Sequence, residues 1–461
     1  MSEINKNDAL QASKEPHSLA FVIRVSVVAA LGGLLFGYDT AVIAGVVGFL
    51  QQKFELSSTM VGWAASSAIW GCVLGAMIAG YMSDRFGRKK VLIVTAILFF
   101  ISALGAAIPN NLTEFVIARF IGGVGVGAAS MLSPLYISEI APSHIRGRLV
   151  SLYQLAIVIG INVIYFVNLK IAGSGNEAWN VDMGWRYMLG SEMIPSVLFL
   201  VLLFIVPESP RWLIKKGRKE EANDILTKVN GKQKAGELMT EIETALAQES
   251  GTIGDIFGKG LRMALVVGMV LALFSQITGI NAIIYYAPEI FKSIGFGAES
   301  AFMQTVTIGI INTLFTFVAI WLIDKLGRRT LLIYGIGGMI LSLIGVIICF
   351  QFDVTGPWLL IFILGFIACF ASSLGPIPWV LISEIFPTKT RGVAMSFCTL
   401  ILWVGVIFIT QFTPVLLESY GGAFTFGVFL INSVILFVFV RMKVPETKQR
   451  TLEEIEHSWT K

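Results

Sequence analysis

The chain has 461 residues, of which 55% are hydrophobic and only 14% are charged. A soluble protein carries about 25% charged residues, so this composition excludes ordinary soluble domains and indicates a polytopic membrane protein. The formal net charge of +4 does not predict nucleic-acid binding. We expect the cysteines to be small buried side chains, because they lie in apolar segments without metal-ligand spacing. They are Cys72, Cys349, Cys369 and Cys398.

The first eighteen residues, Met1 to Ser18, are polar and lack the features of a signal peptide. We therefore expect the first membrane span itself to direct insertion. A helix needs about 20 mainly apolar residues to cross the bilayer, and twelve segments satisfy this requirement. They lie near residues 20–48, 60–82, 91–109, 113–136, 149–171, 187–206, 263–290, 302–323, 331–351, 357–382, 393–416 and 422–441.

A long polar segment, Pro207 to Gly260, separates the sixth predicted span from the seventh. It has helix-like stretches but no room for an independent core, so we interpret it as a cytoplasmic linker. The predicted domains are an N-terminal six-helix half (1–206), the linker (207–262) and a C-terminal six-helix half with a cytoplasmic tail (263–461).

Lysine and arginine are unequally divided between the two sets of loops. Cytoplasmic loops carry the excess of these residues, so the richer set, the linker and both termini are predicted to be cytoplasmic. The richer set holds Arg85, Arg88, Lys89, Lys90, Arg146, Arg148, Lys325, Arg328, Arg329, Lys389 and Arg391. The opposite set holds Lys53, Lys170, Arg186 and Lys292.

Three motifs of the first half recur in the second half at offsets of about 240 residues. Matching offsets predict two halves related by an axis along the membrane normal, with the substrate site between them at mid-depth. The paired segments are 83–90 with 323–330, 137–147 with 382–392, and 207–211 with 445–448.

These repeated motifs resemble the sugar porter family of the major facilitator superfamily, over residues from about 20 to 456. Further matching motifs are Gly279-Ile-Asn281, Tyr285-Tyr286, Gly375-Pro-Ile-Pro-Trp379 and the terminal Pro-Glu-Thr. The resemblance implies an all-α membrane protein with twelve transmembrane helices in two pseudo-symmetric halves. The chain is similar to bacterial proton-coupled xylose, glucose and galactose symporters and to facilitative glucose transporters.

Asp39 lies within the first predicted span, where an ionisable group costs about 2.5 to 3.5 kcal/mol on insertion scales. A buried carboxylate requires a cation, and Arg119 in the fourth predicted span is the candidate. Burial favours the neutral acid and a guanidinium favours the carboxylate, so a balanced site can exchange a proton. The alternatives are a polar packing contact for Asp39 and an interfacial position for Arg119.

The resemblance adds a role for this pair. In proton-coupled members of the family, an aspartate at this position takes the proton and the arginine is its partner. Facilitative animal glucose transporters carry asparagine there, so Asp39 favours symport over uniport.

Polar and aromatic side chains inside the predicted spans are the candidates for sugar recognition. An amide offers both a donor and an acceptor to a sugar hydroxyl, and aromatic rings suit the apolar face of a pyranose. The alternative is that they bond and pack between helices. The candidates are Phe36, Gln154, Ser275, Gln276, Asn281, Tyr285, Asn312, Phe370, Trp379 and Trp403. The resemblance places Gln154, Gln276, Asn281, Asn312 and Trp379 at sugar-contacting positions, with Trp403 close by.

Gln276 and Asn281 are five residues apart, a spacing that does not put both on one face of a regular helix. Gly279 between them permits a local break. Many family members have a second glutamine at the position of Ser275, and an amide at the position of Leu402. These two differences leave the identity of the sugar open.

Charged residues at the cytoplasmic helix ends have a separate predicted role. We expect them to pair between the halves and so to close the inner side of the outward-facing state. Exposed single pairs contribute only about 0 to 1 kcal/mol, so a network is required, and the alternative is that they only orient the chain. They are Arg85, Arg88, Glu139, Arg146, Glu208, Arg328, Glu384, Arg391 and Glu446.

We predict a transporter that carries a monosaccharide and a proton into the cell by alternating access. It is expected to act as a monomer in a lipid bilayer, the bacterial inner membrane, without a cofactor, metal or nucleic acid. No nucleophile, base or metal set converges, so an enzyme is not expected. The alternatives are a facilitative sugar uniporter, a proton–polyol (inositol) symporter and a transporter-like sugar sensor, the last disfavoured by the short tail after Arg441.

Overall fold

The structure is a computed structural model, and the parts of the chain that it describes are almost entirely helical. They are residues 19–142, 145–247, 253–258, 261–293, 295–354, 356–387 and 390–448. Lys389, the first eighteen residues and the predicted tail from 449 onward lie outside them. Within these ranges ten helices are long and apolar enough to cross a membrane, judged by length and composition.

The first half contains six predicted spans. Ser57 and Asn111 cap two of the helices, because each side chain accepts a hydrogen bond from a first-turn backbone N–H. The helices are α1 (Leu19–Lys53), α2 (Ser58–Phe86), α3 (Arg88–Ala107), α4 (Leu112–Ile140), α5 (Arg146–Ala172), α6 (Glu177–Trp179), a π-helical turn (Asn180–Gly184), α7 (Trp185–Gly190) and α8 (Met193–Ile205). The sixth span runs from α6 to α8, and Ser191 and Glu192 form a turn between α7 and α8.

The linker and the second half follow. The helices are α9 (Pro210–Lys215), α10 (Lys219–Asn230), α11 (Lys232–Ala247), α12 (Ile253–Ile256), α13 (Arg262–Ile277), α14 (Ile280–Ser293), α15 (Ala298–Leu326), α16 (Arg328–Gln351), α17 (Pro357–Ala371), α18 (Ile377–Ile385) and α19 (Arg391–Lys443). Lys215 of α9 pairs with Asp84 of the first half at 2.8 Å, whereas Phe257 after α12 packs on Phe397 of the second half. The linker therefore contacts both halves.

The predicted twelve spans are confirmed once three departures from straight helices are recognised. The seventh span consists of α13 and α14, which are separated at Gly279. The tenth is the short α17 followed by α18. The eleventh and twelfth lie together in the 53-residue α19, which is non-helical at Gly421 (φ 77°, ψ 174°). Glycine suits both breaks, because Gly279 and Gly421 have positive φ values of 102° and 77°.

The repeat predicted from the loops is visible in the backbone. Gly87 ends α2 and precedes α3 with φ 102° and ψ 157°, and Gly327 ends α15 and precedes α16 with φ 93° and ψ 161°. Both conformations are in the region that favours glycine. The two loops therefore turn in the same way, and this agreement supports a duplicated six-helix unit.

The two halves are joined by side-chain amides on the side of the membrane opposite the arginine-rich loops. Gln411 of α19 donates to the Thr59 carbonyl (3.1 Å) and accepts from Ser66 (2.8 Å), both on α2. Asn162 of α5 donates to the Gly309 carbonyl (2.8 Å) and to Thr313, both on α15. On the predicted orientation this side, where the halves are in contact, is the extracellular one.

The four cysteines are unpaired, and three of them are fully buried. Cys369 is only partly buried, which departs from the expectation of buried side chains for all four. Gly338 faces it across a close contact, because a Cβ atom on this glycine would lie 2.4 Å from Cys369 Sγ.

Candidate functional site

The predicted contact between Asp39 and Arg119 is present in the middle of the first half. Arg119 Nη1 lies 2.5 Å from Asp39 Oδ1, and Nη2 donates to the Asp39 backbone carbonyl at 2.8 Å. Asp39 is 0% exposed and Arg119 is 2% exposed. The alternative interfacial position for Arg119 is therefore wrong, because its guanidinium binds the first helix away from solvent.

A second buried carboxylic acid, Glu192, completes this site. It is 1% exposed and lies between α7 and α8, where it interacts electrostatically with Asp39 and with Arg119. Among the described residues, neither Glu192 oxygen nor Asp39 Oδ2 receives a hydrogen bond. Two ionised carboxylates can only accept, so a single proton between them would satisfy both. These oxygens without a donor are therefore a candidate place for the exchangeable proton predicted at Asp39.

Glu192 is absent from the sequence-based candidates, although a signal for it is present. It is an ionisable residue within the predicted span 187–206, and such residues are functional candidates by default. The hydropathy of α8 conceals this signal, because Met193 to Ile205 is apolar except for Ser196.

Close helix packing brings α4 against these acids. A Cβ atom at Gly122 would lie 2.3 Å from Ser102 Oγ and 3.3 Å from Asp39 Oδ1. A larger residue at Gly122 would therefore displace either the α3 hydroxyl or the carboxylate. The small residue at this position is part of what keeps α4, and Arg119 with it, close to Asp39.

Replacing Arg119 is expected to destabilise the protein. Arg119→Gln leaves buried carboxyls without a cation, and breaking a buried pair in this way costs about 3 to 5 kcal/mol. Thermal unfolding of the purified variant should occur at a clearly lower temperature than that of the wild type. Adding Asp39→Asn to Arg119→Gln should recover part of the loss, because the unpaired charge is removed. Equal unfolding temperatures for all three proteins would contradict the assigned pair.

The sugar candidates of the seventh span are brought together by the break at Gly279. Asn281 donates to Gln276 Oε1 at 2.7 Å, and Gln276 Nε2 donates to the Ser275 hydroxyl at 3.0 Å. On a regular helix a spacing of five residues would place the two amides on different faces. The positive φ of Gly279 breaks the helix and turns them toward each other. Gln276, Asn281 and Ser275 therefore form one polar group, which we call the amide group.

An aromatic contact lies between the halves. The ring centroids of Phe36 on α1 and Trp403 on α19 are 5.8 Å apart. Trp403 is buried, and its indole N–H has no acceptor among the described residues. A sugar hydroxyl could supply that acceptor, which supports the inclusion of Trp403 among the candidates.

The remaining sugar-binding candidates have fewer described contacts with the amide group. Asn312, Tyr285 and Phe370 are buried, Gln154 is partly buried, and Trp379 is exposed. No hydrogen bond or ring contact recorded for the described part of the chain joins Gln154, Asn312 or Trp379 to the amide group. Their roles in binding stay predictions. No three His, Cys, Asp or Glu side chains in the described ranges could together hold a metal ion.

The arginine-rich loop of the first half is held by an acid of that half and by the start of the linker. Arg88 Nε lies 2.9 Å from Glu139, and the Ser209 hydroxyl donates to the same carboxylate at 2.5 Å. Glu208 accepts from the backbone N–H groups of Arg88 (2.9 Å) and Lys89 (3.1 Å). Glu208 therefore caps the positive N-terminus of α3.

The second half repeats this arrangement. Arg328 Nη2 lies 3.0 Å from Glu384, and the Thr447 hydroxyl donates to Glu384 at 2.6 Å. Glu446 accepts from the backbone N–H groups of Arg328 (2.9 Å) and Arg329 (3.1 Å). The repeated Pro-Glu motif thus caps α16 as it caps α3.

The expectation that these charges pair between the halves concerns the outward-facing state, and it stays a prediction. The ion pairs described for Arg88 and Arg328 each join residues of one half. Of the other candidates, Arg85 bonds the Tyr81 hydroxyl at 3.3 Å, Arg391 bonds the Phe386 carbonyl at 3.4 Å, and Arg146 begins α5. These two pairs lie within one half because the glycine turns place each arginine beside the acid of its own half.

Comparisons with known proteins agree with this geometry. A family model described as "Sugar (and other) transporter" matches residues 25–459. The arabinose-proton symporter of Bacillus subtilis (strain 168) is 47% identical over 447 residues, which cover 96% of each chain. The D-xylose-proton symporter of Escherichia coli (strain K12) is 41% identical and also covers 96% of each chain. The inward-open conformation of the xylose transporter XylE from E. coli superimposes with a TM-score of 0.85 at 40% identity, covering 95% of this chain and 100% of that one.

The chain therefore belongs to the sugar transporter family of the major facilitator superfamily. This membership confirms the predicted fold class and family and the prediction of a multi-pass membrane transporter rather than an enzyme.

Proposed function

We propose that this protein carries a monosaccharide and a proton into the cell together by alternating access. The observation that carries the proposal is the buried site of Asp39, Arg119 and Glu192, which has two carboxyls for one guanidinium. A uniporter moves no proton and does not require such a site, and burying ionisable groups in a membrane costs free energy. The relatives named as arabinose-proton and D-xylose-proton symporters support the same reading.

The substrate we favour is a pentose, on the strength of those two names. The amide group and the Phe36–Trp403 contact would bind it, with Gln154, Asn312, Tyr285, Phe370 and Trp379 as further contacts. Amides that bond one another, as Gln276 and Asn281 do, can exchange those bonds for sugar hydroxyls at little net cost. Phe36 and Trp403 belong to opposite halves, so a bound sugar would touch both bodies that must move.

The proposed setting is the inner membrane of a bacterium, with both termini in the cytoplasm and a monomer as the working unit. The distribution of lysine and arginine supports this orientation. The proposed organisation keeps the two six-helix halves, 1–206 and 263–461, as the moving bodies and the segment 207–262 as their cytoplasmic link.

The test is sugar-induced alkalinisation of de-energised cells that express the protein. Arabinose, xylose, glucose, galactose and inositol would be added one at a time, and arabinose or xylose should raise the external pH. Gln276→Leu removes two hydrogen bonds of the amide group, and we expect it to abolish the response to every sugar. Sugar counterflow without alkalinisation in the wild type would contradict symport and indicate a uniporter. A response to inositol alone would identify a polyol symporter.

A further inference from the structure

A hydroxyl pair connects the two helices that carry the buried acids. Tyr38 precedes Asp39 on α1, and Ser191 precedes Glu192 between α7 and α8. The Tyr38 hydroxyl lies 2.8 Å from Ser191 Oγ. Ser191 gives its own proton to the Met188 carbonyl at 2.5 Å, so Tyr38 is the donor in this contact.

The turn that carries Glu192 is the segment that the Tyr38–Ser191 hydrogen bond contacts. Ser191 and Glu192 form the turn between α7 and α8, and the Glu192 carboxyl oxygens have no donor among the described residues. The position of the Glu192 carboxyl beside Asp39 therefore depends on where the turn at Ser191 and Glu192 holds it. Tyr38, at 3% exposure, bonds the Ser191 side chain and so links this turn to the helix that carries Asp39.

We propose that Tyr38 is a positioning residue for proton coupling, because its hydrogen bond to Ser191 fixes the separation of the Asp39 and Glu192 carboxyls. The inference rests on the proposed symport and concerns the same site. Two carboxyls that share one proton bind it more tightly the closer they lie. Loss of the hydrogen bond would let the two helices separate and would weaken proton binding.

Other titratable groups surround the pair and must be considered in any pH dependence. Arg119 of α4 is the one that binds Asp39 directly, and α3 contributes only the uncharged Ser102 hydroxyl near it. The titratable groups that interact with the acids are Tyr38 (α1), Cys72 (α2), Arg119 (α4) and Tyr285 (α14), and Tyr153 (α5) interacts with Cys72. Removing the hydroxyl of Tyr38 leaves the chemical identity of all the others unchanged.

The experiment measures sugar uptake by the full-length protein in proteoliposomes as a function of external pH. For Tyr38→Phe, the pH of half-maximal uptake should move toward acid by about 0.5 to 1 unit, because weaker proton binding requires more protons. Sugar counterflow at saturating proton concentration should stay at the wild-type rate. This combination separates positioning of the proton site from general damage to the transporter.

Two further variants test the bond itself. Ser191→Ala removes the acceptor and should produce the same acid shift, and the double variant should shift no further than either single variant. Tyr136→Phe is the matched control, since it removes a buried phenol hydrogen bond of 2.5 Å to the Pro207 carbonyl, away from the acids. It should keep the wild-type pH profile.

Two outcomes would overturn the proposal. The first is an unchanged pH profile in Tyr38→Phe and Ser191→Ala beside a proton-coupled wild type. The second is an equal loss of counterflow and uptake with no pH shift, which would indicate a purely structural bond. A wild type without proton coupling would instead refute the proposed function, so the two failures are distinguishable.

Discussion

Asp39→Asn is expected to abolish sugar accumulation while leaving exchange intact. With a gradient of one pH unit and one proton per sugar, the wild type can concentrate sugar about tenfold. The amide that this substitution introduces retains a hydrogen-bonding group for Arg119 but cannot carry a proton, so the ratio should fall to one. Uptake of labelled sugar into proteoliposomes with an imposed pH gradient measures this ratio directly.

Counterflow in the same vesicles provides the internal comparison, because it requires no net movement of protons. Asp182→Asn is the matched control, since Asp182 pairs with Lys53 at 2.5 Å in an exposed position. That variant should accumulate sugar like the wild type. Full accumulation by Asp39→Asn would exclude this aspartate from the coupling step.

Gly62→Trp is expected to hold the protein open on the extracellular side. A Cβ atom at Gly62 would lie 2.1 Å from the Gln411 carbonyl oxygen of the other half, so the observed closure leaves no room for a side chain. If the overlap costs about 3 kcal/mol, the closed population falls about 100-fold, and transport should fall with it. Sugar binding from outside should remain, which isothermal calorimetry would show.

Gly427→Trp separates this effect from the general disturbance of a large residue in a membrane helix. Gly427 lies on α19, and a Cβ atom there meets nothing within 4 Å. We expect this control to transport sugar at a rate near that of the wild type. Active transport by Gly62→Trp would show that the halves close along a different surface.

The sequence predicted those parts of the site in which a single residue carries an evident free-energy cost of burial. A carboxylate within an apolar span requires a cation, so Asp39 indicated Arg119 before any distance was known. The break at Gly279 followed from the spacing of Gln276 and Asn281. Glu192 obeys the same rule as Asp39, but it belongs to no recognisable motif and stands alone beside a strongly apolar helix.

The sequence does not show which acids pair with Arg88 and Arg328 in the arginine-rich loops. The motifs show that Arg88 and Arg328 occupy equivalent positions, and this equivalence is compatible with pairing within a half or between halves. The choice depends on how the backbone turns at Gly87 and Gly327, which brings each arginine to the acid of its own half. Symmetry in a sequence identifies equivalent groups but does not identify their partners.

The ratio of two carboxyls to one guanidinium has an electrical consequence on the proposed mechanism. With its proton the site is neutral, and without it the site carries one negative charge. An inside-negative voltage repels this anion outward, by up to about 2.3 kcal/mol per 100 mV if the charge crosses the whole field. Voltage would therefore accelerate the return of the empty carrier, while exchange of one sugar for another, which never visits the empty form, would proceed at the same rate in polarised and depolarised cells.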